Sequence, residues 1–507
     1  MKTFASLLCL GAATALAASA QPALTIYNQN FAVVREIIPL DLKSGVNEVR
    51  WSGATAHVEA DSVMLRDPAG KHSLQILEQN YRNDPVSQEL LLSLFEGKTI
   101  DFEILRTKDN TQVRELVPGK IIRSGYVPHG AAAYGRYGQQ YYQSQMAYAS
   151  PLGAGTPIIE MDGKIRFGLP GQPVFPSLGD DTVLKPTLNW QLNADQAGKF
   201  DAEVGYVSGG FTWEADYNLV APEKGDTVDL LGWVTMDNQS GKTFENAKIK
   251  LMAGDVNKIQ PPGYADGFAV GGSFSSRLGA APAVTEKTFD EFHLYTLART
   301  TTLRDRETKQ VEFVRAAGIM APTIYIYDGV KIDQNRYRGW GYDNIRQQRE
   351  YGTESNPKVW VMREFVNAET NHLGMPLPKG KLRFYRRNDD GQLEFTGEDK
   401  IDHTPRDERI RVMTGNAFDL TGERTRTNYK QDSGDKWIDE SFEIKLRNHK
   451  KEPVEIRVVE HLYRWTNWNI TVKSNAFLKT DSQSIEFRAQ LQPDEEKTIT
   501  YTVHYSW

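Results

Sequence analysis

The chain has 507 residues, too many for one hydrophobic core, so its length predicts about two to four domains. Hydrophobic residues make up 39% and charged residues 25%, a balance that is typical of globular proteins and argues against a disordered chain. The formal net charge is −6, with 60 basic and 66 acidic residues, which argues against nucleic acid as a partner because phosphate binding needs a basic excess.

The first twenty residues have the pattern of a secretory signal peptide. Lys2 precedes an apolar run over residues 4–18, and Ala18-Ser19-Ala20 has the small-x-small form of a cleavage site. We therefore predict that the mature chain begins at Gln21 and is exported to the periplasm or beyond. No later run reaches the ~18 apolar residues of a membrane-spanning helix, so no membrane span is expected.

The only cysteine, Cys9, lies inside this apolar run rather than after it, which argues against a lipid anchor. After cleavage the chain contains no thiol. Disulfides, zinc–thiolate sites and cysteine nucleophiles are thereby excluded from the mature protein.

Short strands separated by turn residues are predicted next along the chain. They are Ala23–Tyr27, Phe31–Leu40, Val46–Trp51, Val58–Leu65 and Thr99–Leu105. One helix interrupts them. Asp84 is its expected cap, Pro85 suits its first position, and Gly97 marks its end.

Residues 128–155 are rich in Gly, Ala, Gln and Tyr, carry almost no charge and show no periodicity, which predicts a flexible insertion. This insertion divides the chain into predicted regions. They are a signal peptide (1–20), an N-terminal β-rich domain (21–127), the insertion (128–155), a central β-domain (156–320), a connecting hairpin or loop (321–356) and a C-terminal β-sandwich (357–507).

Apolar and polar residues alternate through the rest of the chain. Trp213, Ala215, Tyr217 and Leu219 are expected on one strand face, and Glu214, Asp216 and Asn218 on the other. The same period recurs at 442–446, 454–458 and 499–505. Strands with one buried and one wet face are typical of antiparallel sandwiches. The predicted class is therefore all-β, with multi-domain antiparallel β-sandwiches, an immunoglobulin-like C-terminal domain and one short helix near the N-terminus.

A weak internal repeat accompanies this alternation. Asn238, Asn367 and Asn448 each end a predicted strand and are followed by a turn and a returning strand. Asparagine tolerates turn geometry, so the pattern fits two or three related sandwiches, although coincidence in a strand-rich chain explains it nearly as well.

Several sequence blocks carry a family resemblance. They are Gly209–Tyr217, Gly232–Thr235, Asn238–Gly241, Ala247–Leu251, Gly254–Val256, Gly374–Gly380, Gly397–Pro405 and Gly415–Asp419. Over about residues 190–507 the chain resembles a family of exported bacterial proteins known as a domain of unknown function. That domain is similar to the C-terminal part of mucoidy-inhibitor-A-like proteins. The resemblance implies an all-β architecture and export, and it implies no catalytic residue.

Catalytic signatures are weak. Ser273 sits in Gly272-Ser273-Phe274-Ser275, which lacks the closing glycine of a nucleophile elbow. Glu398, Asp402 and His403 fall in an acidic stretch, where Glu398 and Asp402 suit an acid/base pair, or where a divalent cation could bind. The same stretch also reads as a solvated turn. No metal site and no cofactor are predicted.

Aromatic residues offer a candidate ligand surface. Tyr337, Trp340 and Tyr342 lie among arginines and glycines, and Trp and Tyr beside Arg suit sugar or peptide binding. Tyr463 and Trp465 share one strand face, which favours a core position for both. The leading hypothesis is a non-catalytic binding or assembly module of the bacterial cell envelope, with an envelope protein or glycan as partner. The alternative is an envelope hydrolase that uses carboxylates around Glu398–Asp402. A non-enzyme is favoured, and the oligomeric state stays open.

Overall fold

The computed structural model describes residues 21–82, 87–108, 111–126, 156–176, 185–254, 256–258, 284–289, 292–333, 335–432, 434 and 436–507. The predicted signal peptide, the insertion at 128–155, the Ser273 loop, and the helix residues Asp84 and Pro85 lie outside the described residues. Strands account for 63% of the structure and helices for 5%, which confirms the predicted all-β class.

The strands of the N-terminal third are β1 (Ala23–Tyr27), β2 (Phe31–Leu42), β3 (Gly45–Trp51), β4 (Met64–Arg66), β5 (Leu74–Arg82), β6 (Thr99–Lys108), β7 (Thr111–Arg123), β8 (Ile158–Met161), β9 (Lys164–Phe167) and β10 (Gln172–Val174). The central strands are β11 (Thr187–Ala194), β12 (Gly198–Gly209), β13 (Phe211–Ala221), β14 (Thr227–Asn238), β15 (Phe244–Ala253), β16 (Val284–Phe289), β17 (Phe292–Leu297), β18 (Thr301–Leu303), β19 (Glu307–Met320) and β20 (Thr323–Asp328). The C-terminal strands are β21 (Lys358–Val366), β22 (Gly380–Arg387), β23 (Leu393–Ile401), β24 (Arg409–Asp432), β25 (Trp437–Asn448), β26 (Val454–His461), β27 (Trp468–Lys473), β28 (Phe477–Lys479), β29 (Ser484–Leu491) and β30 (Glu496–Ser506). The α-helices among the described residues are α1 (Gln88–Leu94) and α2 (Tyr342–Gln347).

The chain forms two compact units, each assembled from separate segments. The first unit contains Met1–Thr212, Asp237–Ala281 and Arg299–Thr308, and the second contains Trp213–Met236, Pro282–Ala298 and Lys309–Trp507. The region boundaries proposed from composition stay predictions.

Three sheets organise the described part of the first unit. Strands β3, β11 and β5 pair antiparallel in the order β3-β11-β5. A second sheet has the order β10-β6-β7-β8-β9 and is antiparallel throughout. The third contains the path β15-β1-β2-β12-β4, in which β1 and β15 run parallel.

The second unit contains a five-stranded sheet and a nine-stranded sheet. One has the order β19-β14-β13-β22-β23, and the other the order β27-β30-β25-β24-β21-β20-β26-β29-β28. Side chains of β25 and β30 share one buried core with side chains of β26 and β29, although three strands separate β25 from β26 in the sheet. The nine-stranded sheet therefore folds over itself into two packed layers. Its immunoglobulin-like topology stays a prediction.

Two local predictions differ from the structure near the N-terminus. The helix begins later than expected, and the hydroxyl of Ser87 caps it by accepting from the backbone N–H of Leu90 at 3.2 Å. The expected strand Val58–Leu65 is a 3₁₀ turn at Ala60–Ser62 followed by the three-residue β4. An acidic residue and a serine in this turn oppose strand pairing, because short polar side chains bond to nearby backbone instead. The hydroxyl of Ser62 does so, donating to the Glu59 carbonyl at 2.6 Å.

The alternating strands have the faces that the period predicts, with one exception. All four apolar residues from Trp213 to Leu219 are buried, and so are the alternating apolar residues of β25, β26 and β30. Asp216, expected on the wet face, is only 8% exposed. Its carboxylate accepts from the hydroxyl of Thr235 at 2.8 Å and lies 3.7 Å from the Arg383 guanidinium. Partners on the neighbouring strands β14 and β22 therefore allow this aspartate to be buried.

The repeated asparagines have one shared structural role. Asn238, Asn367 and Asn448 are all fully buried. Each Nδ2 donates to a carbonyl in the turn that follows the asparagine and to carbonyls in a second, distant turn. The acceptors at 2.8–3.0 Å are Lys242 and Arg304 for Asn238, Met375 and Pro405 for Asn367, and Glu452 and Gln492 for Asn448.

The backbone around each asparagine repeats as well. Two residues beyond the distant acceptor the chain takes a positive φ, at Arg306 (57°), Asp407 (66°) and Asp494 (57°). The strand after each asparagine pairs in parallel with an earlier strand, as β15 does with β1, β22 with β13 and β26 with β20. The weak sequence repeat is therefore a structural repeat with three copies, and it introduces parallel pairs into sheets predicted as antiparallel.

Candidate functional site

The three candidate residues of the acidic stretch, Glu398, Asp402 and His403, each contact a different residue. The Glu398 side chain is 55% exposed and lies 3.9 Å from Arg383. Asp402 follows the end of β23 and is exposed, and its carbonyl accepts from the hydroxyl of Thr404 at 2.9 Å. His403 Nδ1 accepts from the backbone N–H of Lys379 at 3.2 Å. The contacts of these three residues do not support the hydrolase alternative.

The part of the chain that the structure describes contains neither a metal-binding cluster nor a membrane-spanning helix. No group of three or more His, Cys, Asp or Glu side chains there could hold a metal ion. No helix there has the length and apolar character needed to cross a membrane.

The three predicted aromatic residues lie on the segment between β20 and β21, and each contacts another aromatic ring. The rings of Tyr337 and Trp340 meet edge to face at 5.0 Å, and the Tyr337 ring meets that of Tyr351 at 4.9 Å. Tyr342 meets Trp465 at 5.1 Å, also edge to face. We call Tyr337, Trp340, Tyr342 and Trp465 the aromatic platform. Tyr342 is 40% exposed and the other three are half-buried, so each ring contacts protein and also solvent.

A buried arginine fixes one side of this platform. Arg346 of α2 lies between two indole rings, with its guanidinium carbon 4.3 Å from the centroid of Trp465 and 4.6 Å from that of Trp507. It also pairs with Asp343, one turn earlier in the helix. Cation–π contacts of this kind hold Trp465 in a defined orientation beside Tyr342.

Arg464 binds the segment between β20 and β21, which we call the platform segment. Its side chain is fully buried, and its Nη1 donates to the carbonyls of Ile345 and Gln348, both at 2.6 Å. Its Nη2 donates to the carbonyls of Arg349 and Tyr351. A cation at the C-terminus of α2 satisfies carbonyls that the short helix leaves unpaired and interacts favourably with the helix dipole.

Two buried carboxylates balance the arginines beneath the platform. Glu440 on β25 accepts from Arg464 at 2.9 Å and from Arg426 at 3.1 Å. Glu460 on β26 accepts from Nε of Arg424 at 2.8 Å, and the hydroxyl of Tyr501 donates to it. We call these five charged residues the ion-pair network.

The network keeps its arginines charged. Burial alone would lower the pKa of Arg424 and Arg464, but Glu460 beside the first and Glu440 beside the second raise the pKa of both guanidinium groups above their usual value. Burial raises the pKa of the Tyr463 hydroxyl far above its ordinary value, so that tyrosine remains neutral. Arg424 and Arg464 therefore stay charged, and both donate to backbone carbonyls of the platform segment.

Tyr463, predicted as a core residue, is half-buried and contacts the platform segment at Gly352 and Tyr351. Its hydroxyl donates to the Gly352 carbonyl at 3.2 Å, an oxygen that also accepts from Nη1 of Arg424 at 2.8 Å. Its ring meets that of Tyr351 at 5.3 Å. The predicted strand face is wrong, because β26 ends at His461 and both Tyr463 and Trp465 follow it. Trp465 packs partly against the sandwich core and meets Tyr342 edge to face.

The comparisons identify the region that contains this site. Residues 202–507 match the family described as a domain of unknown function, DUF4139. The chain belongs to the DUF4139 family. Comparison with curated proteins gave no match, and comparison with solved structures gave none either. The platform and the whole ion-pair network lie inside the DUF4139 region.

The sequence indicated Tyr337, Trp340 and Tyr342 as a candidate ligand surface. It favoured a core position for Trp465, and the network was not predicted from it. A signal for it exists in the strand period. Glu440 occupies an inward position of β25 together with Ile438, Phe442 and Ile444, and Glu460 does so on β26 after Val454, Ile456 and Val458. A charged residue at an inward position requires a buried partner, because an isolated charge in a core is very costly.

Proposed function

We propose that this protein is a non-catalytic binding module of the bacterial cell envelope, and that its aromatic platform binds an envelope glycan. One observation supports this proposal. The half-exposed rings of the platform are held in place, because Arg346 packs on Trp465 and Arg464 of the ion-pair network binds the backbone of the platform segment. Rings that are already held in place lose little entropy when a ligand stacks on them. Arg336 and Gln483 lie next to these rings and offer hydrogen bonds to hydroxyl groups.

Export of the chain is part of the proposal. It depends on the predicted signal peptide and on the resemblance to a family of exported bacterial proteins. Mass spectrometry of the chain recovered from the periplasm is expected to show Gln21 as the first residue. Retention of residues 1–20 in a cytoplasmic protein would contradict export.

Titration calorimetry with a panel of envelope glycans tests the binding role. We expect one glycan class to bind, and we expect Trp340→Ala and Tyr342→Ala each to weaken it about tenfold or more, as central aromatic contacts do. Trp360→Ala is the matched control, because Trp360 is a half-buried tryptophan of β21 outside the platform. Binding that neither platform variant changes, or binding of envelope proteins alone, would overturn the glycan assignment.

A further inference from the structure

The five-stranded sheet of the first unit has an apolar face that is open to solvent. Six large apolar side chains of this sheet are between 41% and 65% exposed. They are Leu105, Leu116, Ile122, Ile165, Phe167 and Val174. Exposed apolar groups scattered singly are ordinary, but a contiguous set on one surface marks an interaction site.

The strand register places five of these side chains on one face, and Ile122 lies at the register shift between Ile121 and Arg123. Leu116 pairs with Glu103, two residues from Leu105 on β6, and Val174 pairs with Asp101 of the same strand. Since side chains alternate between the two faces of a strand, Leu105, Leu116 and Val174 project on the same side. Through β8, Glu160 connects Lys120 of β7 to Ile165 of β9, so the face continues to the far edge of the sheet. We call this surface the open apolar face.

The opposite face of the sheet packs against helix α1. Ile100, Phe102, Ile121 and Ile159 are buried there with Leu92 of α1. The apolar residues of the open apolar face therefore do not belong to this core, and folding of the described residues leaves them in contact with water.

The edges and charges of the sheet limit what can bind it. The edge strands β9 and β10 have four and three residues, and β10 contains Pro173, so a partner strand has little edge to extend. Charges at register positions of the open apolar face nearly balance, with Asp101, Glu103 and Glu160 against Arg114 and Lys120, and Arg114 lies 3.0 Å from Glu103. A face without a basic excess is not attracted to an anionic lipid surface.

We propose that the open apolar face packs against the same face of a second copy, giving a symmetric dimer of two stacked sheets. Two sheets pack face to face at about 10 Å separation, and a twofold axis lets the same face of a second copy be the partner. Five strands about 4.8 Å apart span about 24 Å, and ten residues of β6 extend about 33 Å. Allowing for the short outer strands, each copy buries on the order of 600 Å², so the total of about 1,200 Å² reaches the lower limit of stable interfaces.

Sedimentation velocity of the mature chain across a hundredfold dilution series tests this dimer. We expect the wild type to sediment as a dimer at the concentrated end, and Leu116→Glu and Phe167→Glu each to sediment as monomers at all concentrations. Val46→Glu is the matched control, since Val46 is 64% exposed on the three-stranded sheet of the same unit and lies outside the open apolar face. This control is expected to keep the dimer.

Circular dichroism melts of all four proteins separate loss of the dimer from loss of the fold. A wild type that is monomeric throughout would overturn the proposal, as would a dimer that Leu116→Glu and Phe167→Glu leave intact. Flotation with vesicles of neutral phospholipid adds one further outcome. If the wild type floats and the two variants do not, the face binds membrane and the dimer assignment is wrong.

Discussion

The three buried asparagines perform at the residue scale a task that few side chains can do. An asparagine amide donates two hydrogen bonds and accepts others at one position, whereas an aspartate of the same shape donates none. Asn448 joins the turn after β25 to the turn before β30 through the carbonyls of Glu452 and Gln492. Each turn therefore depends on the other for a satisfied backbone.

We expect Asn448→Asp to lower the free energy of unfolding by about 2–4 kcal/mol, because it places a carboxylate against carbonyl oxygens that lose their donor. Asn469→Asp is the control, since Asn469 is exposed on β27 and its change should cost less than about 0.5 kcal/mol. Urea denaturation measures both. Equal losses for the two variants would contradict the anchoring role of Asn448.

A histidine gives the second unit a dependence on pH. His461 Nε2 lies 2.9 Å from the carboxylate of Asp328, and the hydrogen bond with Asp328 raises the pKa of His461 above 6.5, although burial opposes it. Because the folded-state pKa is the higher one, this contribution to stability is fully present below pH 6.5 and is lost as pH rises through the folded pKa.

We therefore expect His461→Gln to destabilise the chain under acidic conditions and to have a much smaller effect under alkaline ones. Glutamine can still donate a neutral hydrogen bond to Asp328, so the variant removes the charge more than the contact. Thermal melts of both proteins from acidic to mildly alkaline buffer give the difference in stability. A difference that grows with pH would show that the sign is wrong.

At the scale of elements, the platform segment depends on close contact between backbone and ring. Gly352 has a φ of +70°, and a Cβ there would lie 2.2 Å from Cζ of Tyr463. Gly339 has a similar φ of +79° but open space around it. The two glycines therefore separate the conformational requirement from the steric one.

We expect Gly339→Ala to cost about 1–2 kcal/mol through its left-handed backbone alone. Gly352→Ala should cost clearly more, because the Tyr463 ring must also move. Denaturation gives the free energies, and hydrogen exchange of the amides at 341–352 shows whether the segment loosens. Equal costs with unchanged exchange would contradict the close packing of Gly352 on Tyr463.

The alternation of apolar and polar residues predicted which side of a strand is buried, but it did not predict which strands are neighbours in a sheet. Alternation is a property of one strand, so it placed the inward residues of β25, β26 and β30 correctly. It carries no information about which strand lies alongside, and the parallel pairs such as β20 with β26 depend on contacts far apart in the sequence. Likewise, alternation places Glu440 and Glu460 at inward positions, but it does not identify their arginine partners on β24 and after β26.

At the scale of the whole molecule, segments distant in sequence combine into each unit. The first unit takes up Asp237–Ala281 and Arg299–Thr308 after the second has begun, so no cut in the sequence separates them. Composition marks loops and insertions, and it cannot show that a later strand such as β15 returns to pair with β1. For the same reason, the sequence did not predict the open apolar face, because only the register of β6 to β10 brings its exposed apolar side chains onto one side of the sheet.

The open apolar face links the stability of the molecule to its concentration. A dimer forms only between folded chains, so association stabilises the folded state by mass action. The melting temperature of the wild type is therefore expected to rise with protein concentration, and that of Phe167→Glu to stay constant. Scanning calorimetry over the same dilution series provides the measurement, with Val46→Glu expected to follow the wild type. A wild-type melting temperature independent of concentration would mean that the face stays open in solution, and that its exposed side chains lower solubility without joining two copies.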